Sequence, residues 1–288
     1  MNNIENINYN LTEKDMTEIR YICVFIFILI VIIYKNAFEN DNYSCNNILV
    51  NTYLYVLISL LLFHLMTLLF INTKLHIKLF EFLKNTNVII GLLGITGLLF
   101  GLLSIFDSNY NNILISHIML LVLIGVFSLL TSILYVLLKN HNLYNRVLYT
   151  TLLFVMVLLC IFYFKKDLIK KYLKDEYYFI VLILLFVVFL VELIYILFMG
   201  YDKTMTMVTS ACVLLIFGYF LLKDTENVMN ITEENCKIAL KNCKDNIINE
   251  NCNIEDYPNY PQKSFNIFHD IIIIFQNIAE LYLSSGQD

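Results

Sequence analysis

Two aspartates, Asp224 and Asp270, limit most what this sequence can do. Asp270 lies inside the last apolar stretch, Phe265 to Leu283 (FNIFHDIIIIFQNIAELYL), in company with Asn266, Asn277 and Glu280. Their successive spacings of four, seven and three residues put all four polar side chains on one narrow arc of a helix. An ionised carboxylate turned to lipid costs several kcal/mol, so the arc must face other helices or a water-filled path. Asp224 closes the preceding apolar run, LLIFGYFLLKDTENV. Two carboxylates brought together cannot both ionise cheaply, so such a pair shares a proton. Losing that proton sets like charges against each other and parts the helices that carry them. The chemistry is that of a proton-operated latch on a cation path.

Other polar residues in apolar surroundings carry two readings each. Glu192, deep in VVFLVELIYILF, either lines the path or is a neutral, hydrogen-bonded acid. His64 either acts in function or is satisfied by a neighbouring carbonyl or hydroxyl. His269 either tunes its neighbour Asp270 or faces the headgroups. Asn277 and Glu280 extend the arc, unless Glu280 simply reaches the far interface. The bland reading of Asp224 is a helix-end residue in water.

The elements that must position these groups follow from composition. Of 288 residues, 59% are hydrophobic and 15% charged, and the mean hydropathy is +0.70. The apolar residues come in runs, which excludes a soluble globular domain. The net charge of -5 includes no basic patch suited to nucleic acid. Spans are expected near Ile48–Ile71, Val88–Phe106, Ile113–Leu138, Val147–Phe164, Tyr177–Met199, Thr204–Leu222 and Phe265–Leu283. Gly91, Gly94, Gly97 and Gly101 give the second of these a small-residue side for close packing. The run Tyr21–Tyr34 is only ~21 Å long as a helix and reads as a retained extra apolar helix.

The fold class is an all-α polytopic membrane protein: a seven-helix bundle with a central C-terminal helix, plus the extra N-terminal helix. Residues 1–20 read as a polar disordered tail, and 21–47 as the extra apolar segment and its loop. The seven-helix transmembrane domain covers 48–288, with a cysteine-containing loop at 223–264.

Four of the seven cysteines lie in polar loops: Cys45, Cys236, Cys243 and Cys252. Three fates stay open for them: two disulfides on an oxidising face, a metal site, or reduced thiols in the cytosol. No tight zinc spacing is present, so no resident metal is expected. Lys165, Lys166, Lys170, Lys171 and Lys174 crowd one short loop, which reads as cytosolic by the positive-inside rule. By parity, Cys45, Cys236–Cys252 and the sequons at Asn42 and Asn230 share that face, which argues for the opposite side.

Around Asp224 and Asp270 the sequence resembles the transmembrane BAX inhibitor motif family, the Bax inhibitor and lifeguard proteins. The family's penultimate helix ends in an aspartate-threonine-glutamine signature, where this chain has Leu222-Lys223-Asp224-Thr225-Glu226. Its last helix reads leucine-tyrosine-leucine-aspartate-isoleucine, then an apolar residue and phenylalanine. Here Ile267-Phe268-His269-Asp270-Ile271-Ile272-Ile273-Ile274-Phe275 has the same layout. Asn51–Phe70 looks like the family's first helix. The resemblance implies a pH-sensitive calcium leak across an internal membrane such as the endoplasmic reticulum, with the aspartates as latch. It also implies a role in restraining cell death.

There are departures. Glu226 replaces glutamine, Lys223 precedes the aspartate, and the segment from Val228 to Pro261 is longer and carries three extra cysteines. The matching run lacks the basic side chain of bacterial relatives, which leaves His64, His117 or His269 as substitutes. No HExxH or GxSxG motif, and no intramembrane aspartyl-protease signature, is present in the apolar spans, so no enzyme is expected. Calcium enters as a permeant ion rather than a cofactor. The expected partners are the bilayer, calcium ions and membrane proteins that control cell death. The rival function is a non-conducting membrane scaffold that binds such proteins, and a third is a solute transporter.

Overall fold

The structure is a computed structural model that describes residues 12–39, 42–85, 97–98, 101–106, 112–165, 169, 171–200, 202–243 and 254–285. Its elements are α1 (Glu13–Ala37), β1 (Phe38–Glu39), β2 (Asn42–Tyr43), α2 (Ile48–Asn72) and α3 (Leu75–Asn85). They continue with α4 (Ile113–Asn140), α5 (Tyr144–Phe164), α6 (Asp175–Met199), α7 (Lys203–Asn230), α8 (Glu233–Asn242) and α9 (Tyr260–Ser285). Seven of the described helices are long and apolar enough to cross a membrane: α1, α2, α4, α5, α6, α7 and α9. The chain is an all-α, multi-pass integral membrane protein. Most of the expected span Val88–Phe106 lies outside the described residues, although 101–106 are helical.

Two compact units divide the chain, one of residues 1–137 with 227–265, the other of 138–226 with 266–288. In the first unit, α1 starts earlier than the apolar run suggests. The Thr12 hydroxyl accepts from the Asp15 amide at 3.2 Å, and the Asp15 carboxylate accepts from the Thr12 amide at 2.8 Å. This capping box nucleates the helix at Glu13, so residues 13–20, expected to be tail, are helical. At 25 residues α1 is about 37 Å long, enough to span. Ile22, Ile26, Leu29, Ile33 and Ala37 form its buried stripe, while Val24, Phe25, Phe27 and Ile28 are exposed to the lipid side.

The short β1–β2 ladder pairs Phe38 with Tyr43 and Glu39 with Asn42. It brings the chain back into α2 through Asn47, whose φ of 52° is tolerated by an asparagine. Ser128 of α4 donates to the Phe63 carbonyl of α2 at 3.1 Å. Gly125, one turn earlier, lies beside Met66. Small residues thus let these two helices approach. Below the ladder, α2, α4 and the start of α9 meet in a buried network. The Tyr55 hydroxyl bonds His117 Nε2 at 2.8 Å, while His117 Nδ1 faces the Ile113 carbonyl at 2.6 Å. A carbonyl can only accept, so Nδ1 carries the proton and Nε2 takes the bond from Tyr55. Tyr260 stacks on Tyr55 at 5.8 Å and donates to the Ser44 carbonyl. Asn51 donates to the carbonyls of Asn36 and Asn46.

The second unit holds α5, α6, most of α7 and most of α9. Half of the apolar window of α9 is buried, against none of that of α6. Gly218 of α7 leaves room for Leu158 and Phe154 of α5, whose side chains come within 3.3 and 3.7 Å of where a Cβ would stand.

Candidate functional site: acidic groups along three helices

Asp270 is 3% exposed, in the middle of α9. Its Oδ1 lies 3.6 Å from His269 Nδ1, and its Oδ2 is buried with no hydrogen-bond partner among the described residues. Buried polar atoms are nearly always bonded, so an unmatched carboxylate oxygen calls for an explanation. Two side chains from other helices converge on this stretch. The His269 ring packs on Phe217 of α7 at 5.6 Å and lies within electrostatic reach of Asp224. Tyr178 of α6 lies within reach of both Asp224 and Asp270, and its ring packs on Phe220 at 5.4 Å. The two aspartates singled out in the sequence therefore both lie in the neighbourhood of one phenol.

Around Asp224, which is half-buried, the departures from the family signature have partners. Lys223 donates to the Leu173 carbonyl at 2.6 Å and pairs with Glu226 at 3.5 Å, with little of either side chain exposed. The added lysine is thus balanced by the glutamate that replaces glutamine. Thr225 donates back to the Leu221 carbonyl at 2.8 Å.

A second polar station lies further along the same helices. Thr209 of α7 donates to Glu192 of α6 at 3.2 Å, and Ser210 donates to Glu280 of α9 at 2.7 Å. Glu192 and Glu280 lie within electrostatic reach of each other. From Asp270 to Glu280 the ten-residue rise along α9 is about 15 Å. Asn277, between them, is buried and donates to the Ile273 carbonyl at 2.8 Å. Of the arc expected on α9, Asp270 and Asn277 are thus buried, whereas Asn266 and Glu280 are exposed.

His64 belongs to a different arrangement. Its Nε2 lies 3.1 Å from Glu18 of α1, and its ring packs near Tyr135. His117 is held by Tyr55. Of the three candidate histidines, His269 is the one placed with Asp224 and Asp270. Tyr178, Thr209, Ser210 and Glu18 were not singled out by the sequence. A tyrosine or hydroxyl in an apolar helix carries no distinguishing signal, and Glu18 sits in a stretch that reads as tail.

Cys45 and Cys236 form a disulfide, with Cα atoms 5.8 Å apart. It ties the loop after β2 to α8 within the first unit. Cys243 is also disulfide-bonded, while Cys252 lies outside the described residues. The loop group Tyr43 is pushed well above the ordinary tyrosine pKa by burial. On exposed α8, Lys237 is raised by its hydrogen bond to Glu233.

Seven described helices long enough to span, with acidic groups along three of them and Asp270 buried, define a multi-pass helical membrane protein with acidic groups inside its spans. Comparison with known families gives the particular assignment. A family model described as inhibitor of apoptosis-promoting Bax1 matches residues 45–287, and the chain belongs to that family. The match takes in α2 to α9 and leaves α1 outside it. No curated protein and no solved structure matches the chain.

Proposed function

We propose that this protein is a pH-sensitive leak path for calcium and other cations across an internal membrane. Asp224 and Asp270 form its latch, and the leak restrains cell death. The observation that carries this reading is the Asp270 oxygen left without a hydrogen-bond partner among the described residues, on a stretch whose neighbours His269 and Tyr178 also lie within reach of Asp224. A carboxyl kept only for packing would be hydrogen-bonded or replaced by an apolar residue.

In this reading a shared proton holds the end of α7 against the middle of α9. Its loss leaves two like charges that push the helices apart and admit a cation. The groups near the pair are His269 on α9 and Tyr178 on α6, with the Lys223–Glu226 ion pair flanking Asp224 along α7. Glu192, Thr209, Ser210 and Glu280 offer oxygen ligands further along, of the hard kind that calcium prefers.

The test is purified protein in liposomes loaded with a calcium indicator, with external pH stepped across the acidic to neutral range. The expected result is a calcium flux that changes with pH, and Asp270→Asn removes that dependence. No flux above empty liposomes, or a flux whose pH profile ignores Asp270→Asn, refutes the conducting reading and favours the scaffold.

A further inference from the structure

The Cys45–Cys236 disulfide bears on which way the protein sits in its membrane. Two sulfurs that share a bond must lie on the same side. Between them in the chain lie five described helices long and apolar enough to cross a membrane: α2, α4, α5, α6 and α7. Forming the bond removes two protons and two electrons from the thiols, which pass by thiol–disulfide exchange to a disulfide-carrying oxidant. Such bonds persist in oxidising compartments and are rare in the cytosol. Both cysteines are almost fully buried, Cys45 at 5% exposure and Cys236 at 0%, which shields the bond from exchange.

We infer that the face carrying Cys45, Cys236 and the C-terminal end of α7 lies in an oxidising compartment, with both ends of the chain on the reducing side. The lysine loop before α6 goes with the oxidising face. Two spans, α6 and α7, separate that loop from α8, and the Lys223 bond to the Leu173 carbonyl ties the last third of α7 to the loop. This reverses the side that the lysines alone suggest. Basic residues also stand on the other face, at Lys74, Lys78, Lys139 and Arg146, so the charge bias does not outweigh a covalent bond that needs an oxidant. The inference does not rest on conduction, but it assigns the Asp224 end of α7 to the oxidising side.

The test uses full-length protein with Cys23, Cys160 and Cys212 changed to serine, made in cells and recovered in sealed vesicles with the cytosolic side outward. Single reporters Lys78→Cys, His141→Cys and Lys171→Cys are treated with a membrane-impermeant maleimide before and after permeabilisation. Lys78→Cys and His141→Cys should label at once and Lys171→Cys only after permeabilisation. Immediate labelling of Lys171→Cys overturns the sidedness. So does protection of Lys78→Cys or His141→Cys until permeabilisation. Non-reducing gels in which Cys45 and Cys236 are both free to alkylate in the native membrane overturn the premise.

Discussion

Asp270 should be a position where removing a charge-bearing group strengthens the protein while ending its pH response. Its Oδ2 is buried without a hydrogen-bond partner among the described residues, and an unsatisfied buried polar atom costs about 1–3 kcal/mol. Leucine repeats the branch at Cγ with two apolar atoms, so Asp270→Leu removes that cost without opening a cavity. The expected gain is about 1–3 kcal/mol, which at roughly 2–4 °C per kcal/mol is a rise of about 2–12 °C in the unfolding midpoint. The chain has no tryptophan, so far-UV circular dichroism of detergent-solubilised protein is the suitable readout. The same variant in liposomes should show a flux that no longer varies with pH. A midpoint lowered by several degrees would mean that the carboxyl holds a structural bond, and the reasoning about an unmatched oxygen would be wrong.

Breaking the Cys45–Cys236 bond with Cys236→Ser should destabilise the first unit, because 191 residues of chain are no longer closed into a loop. The chain-entropy relation gives about 5 kcal/mol for a loop of this length, an upper value for helices already confined to a bilayer. Reductant should lower the wild-type midpoint further than the variant's, because the variant keeps only the bond at Cys243 to lose. Tyr43, raised by burial, keeps its proton in the folded state after the unfolded chain has lost it near pH 10. Its contribution to stability is complete below that pH and lost as pH climbs above it. The alkaline decline in stability should therefore be shallower in Tyr43→Phe, and 295 nm absorbance should show no Tyr43 phenolate before unfolding. A double-mutant cycle of Ser210→Ala and Glu280→Gln, read by thermal unfolding, should give a coupling of about 0.5–3 kcal/mol. A coupling near zero would remove the α7–α9 bond from the second station.

The spans were legible because long apolar runs leave few alternatives, and Asp270 was legible because a carboxylate among isoleucines must be explained. The true start of α1 was not. It depends on the reciprocal bonds of Thr12 and Asp15, in a stretch whose composition reads as tail. Tyr178, Thr209 and Ser210 were hidden for another reason: each is ordinary in an apolar helix until the fold brings an acid to it. The pairing of Cys45 with Cys236 was beyond the sequence as well, since four loop cysteines allow three connectivities. The polar arc on α9 is covered only in part. Asp270 and Asn277 are enclosed, while Asn266 and Glu280 stand at its exposed ends, because the spacing that aligns side chains on a helix says nothing of how far the covering neighbours extend.

The bare flanks of α6 make the surrounding lipid a working part of this molecule. No residue in the apolar window of that helix is fully buried, so acyl-chain length, more than packed neighbours, governs how steeply it leans. It touches its unit through polar or aromatic handholds near each end, Tyr178 against Phe220 and Glu192 against Thr209. A thinner or thicker bilayer therefore pulls on those handholds, and the composition of the host membrane becomes a setting of the acidic stations themselves.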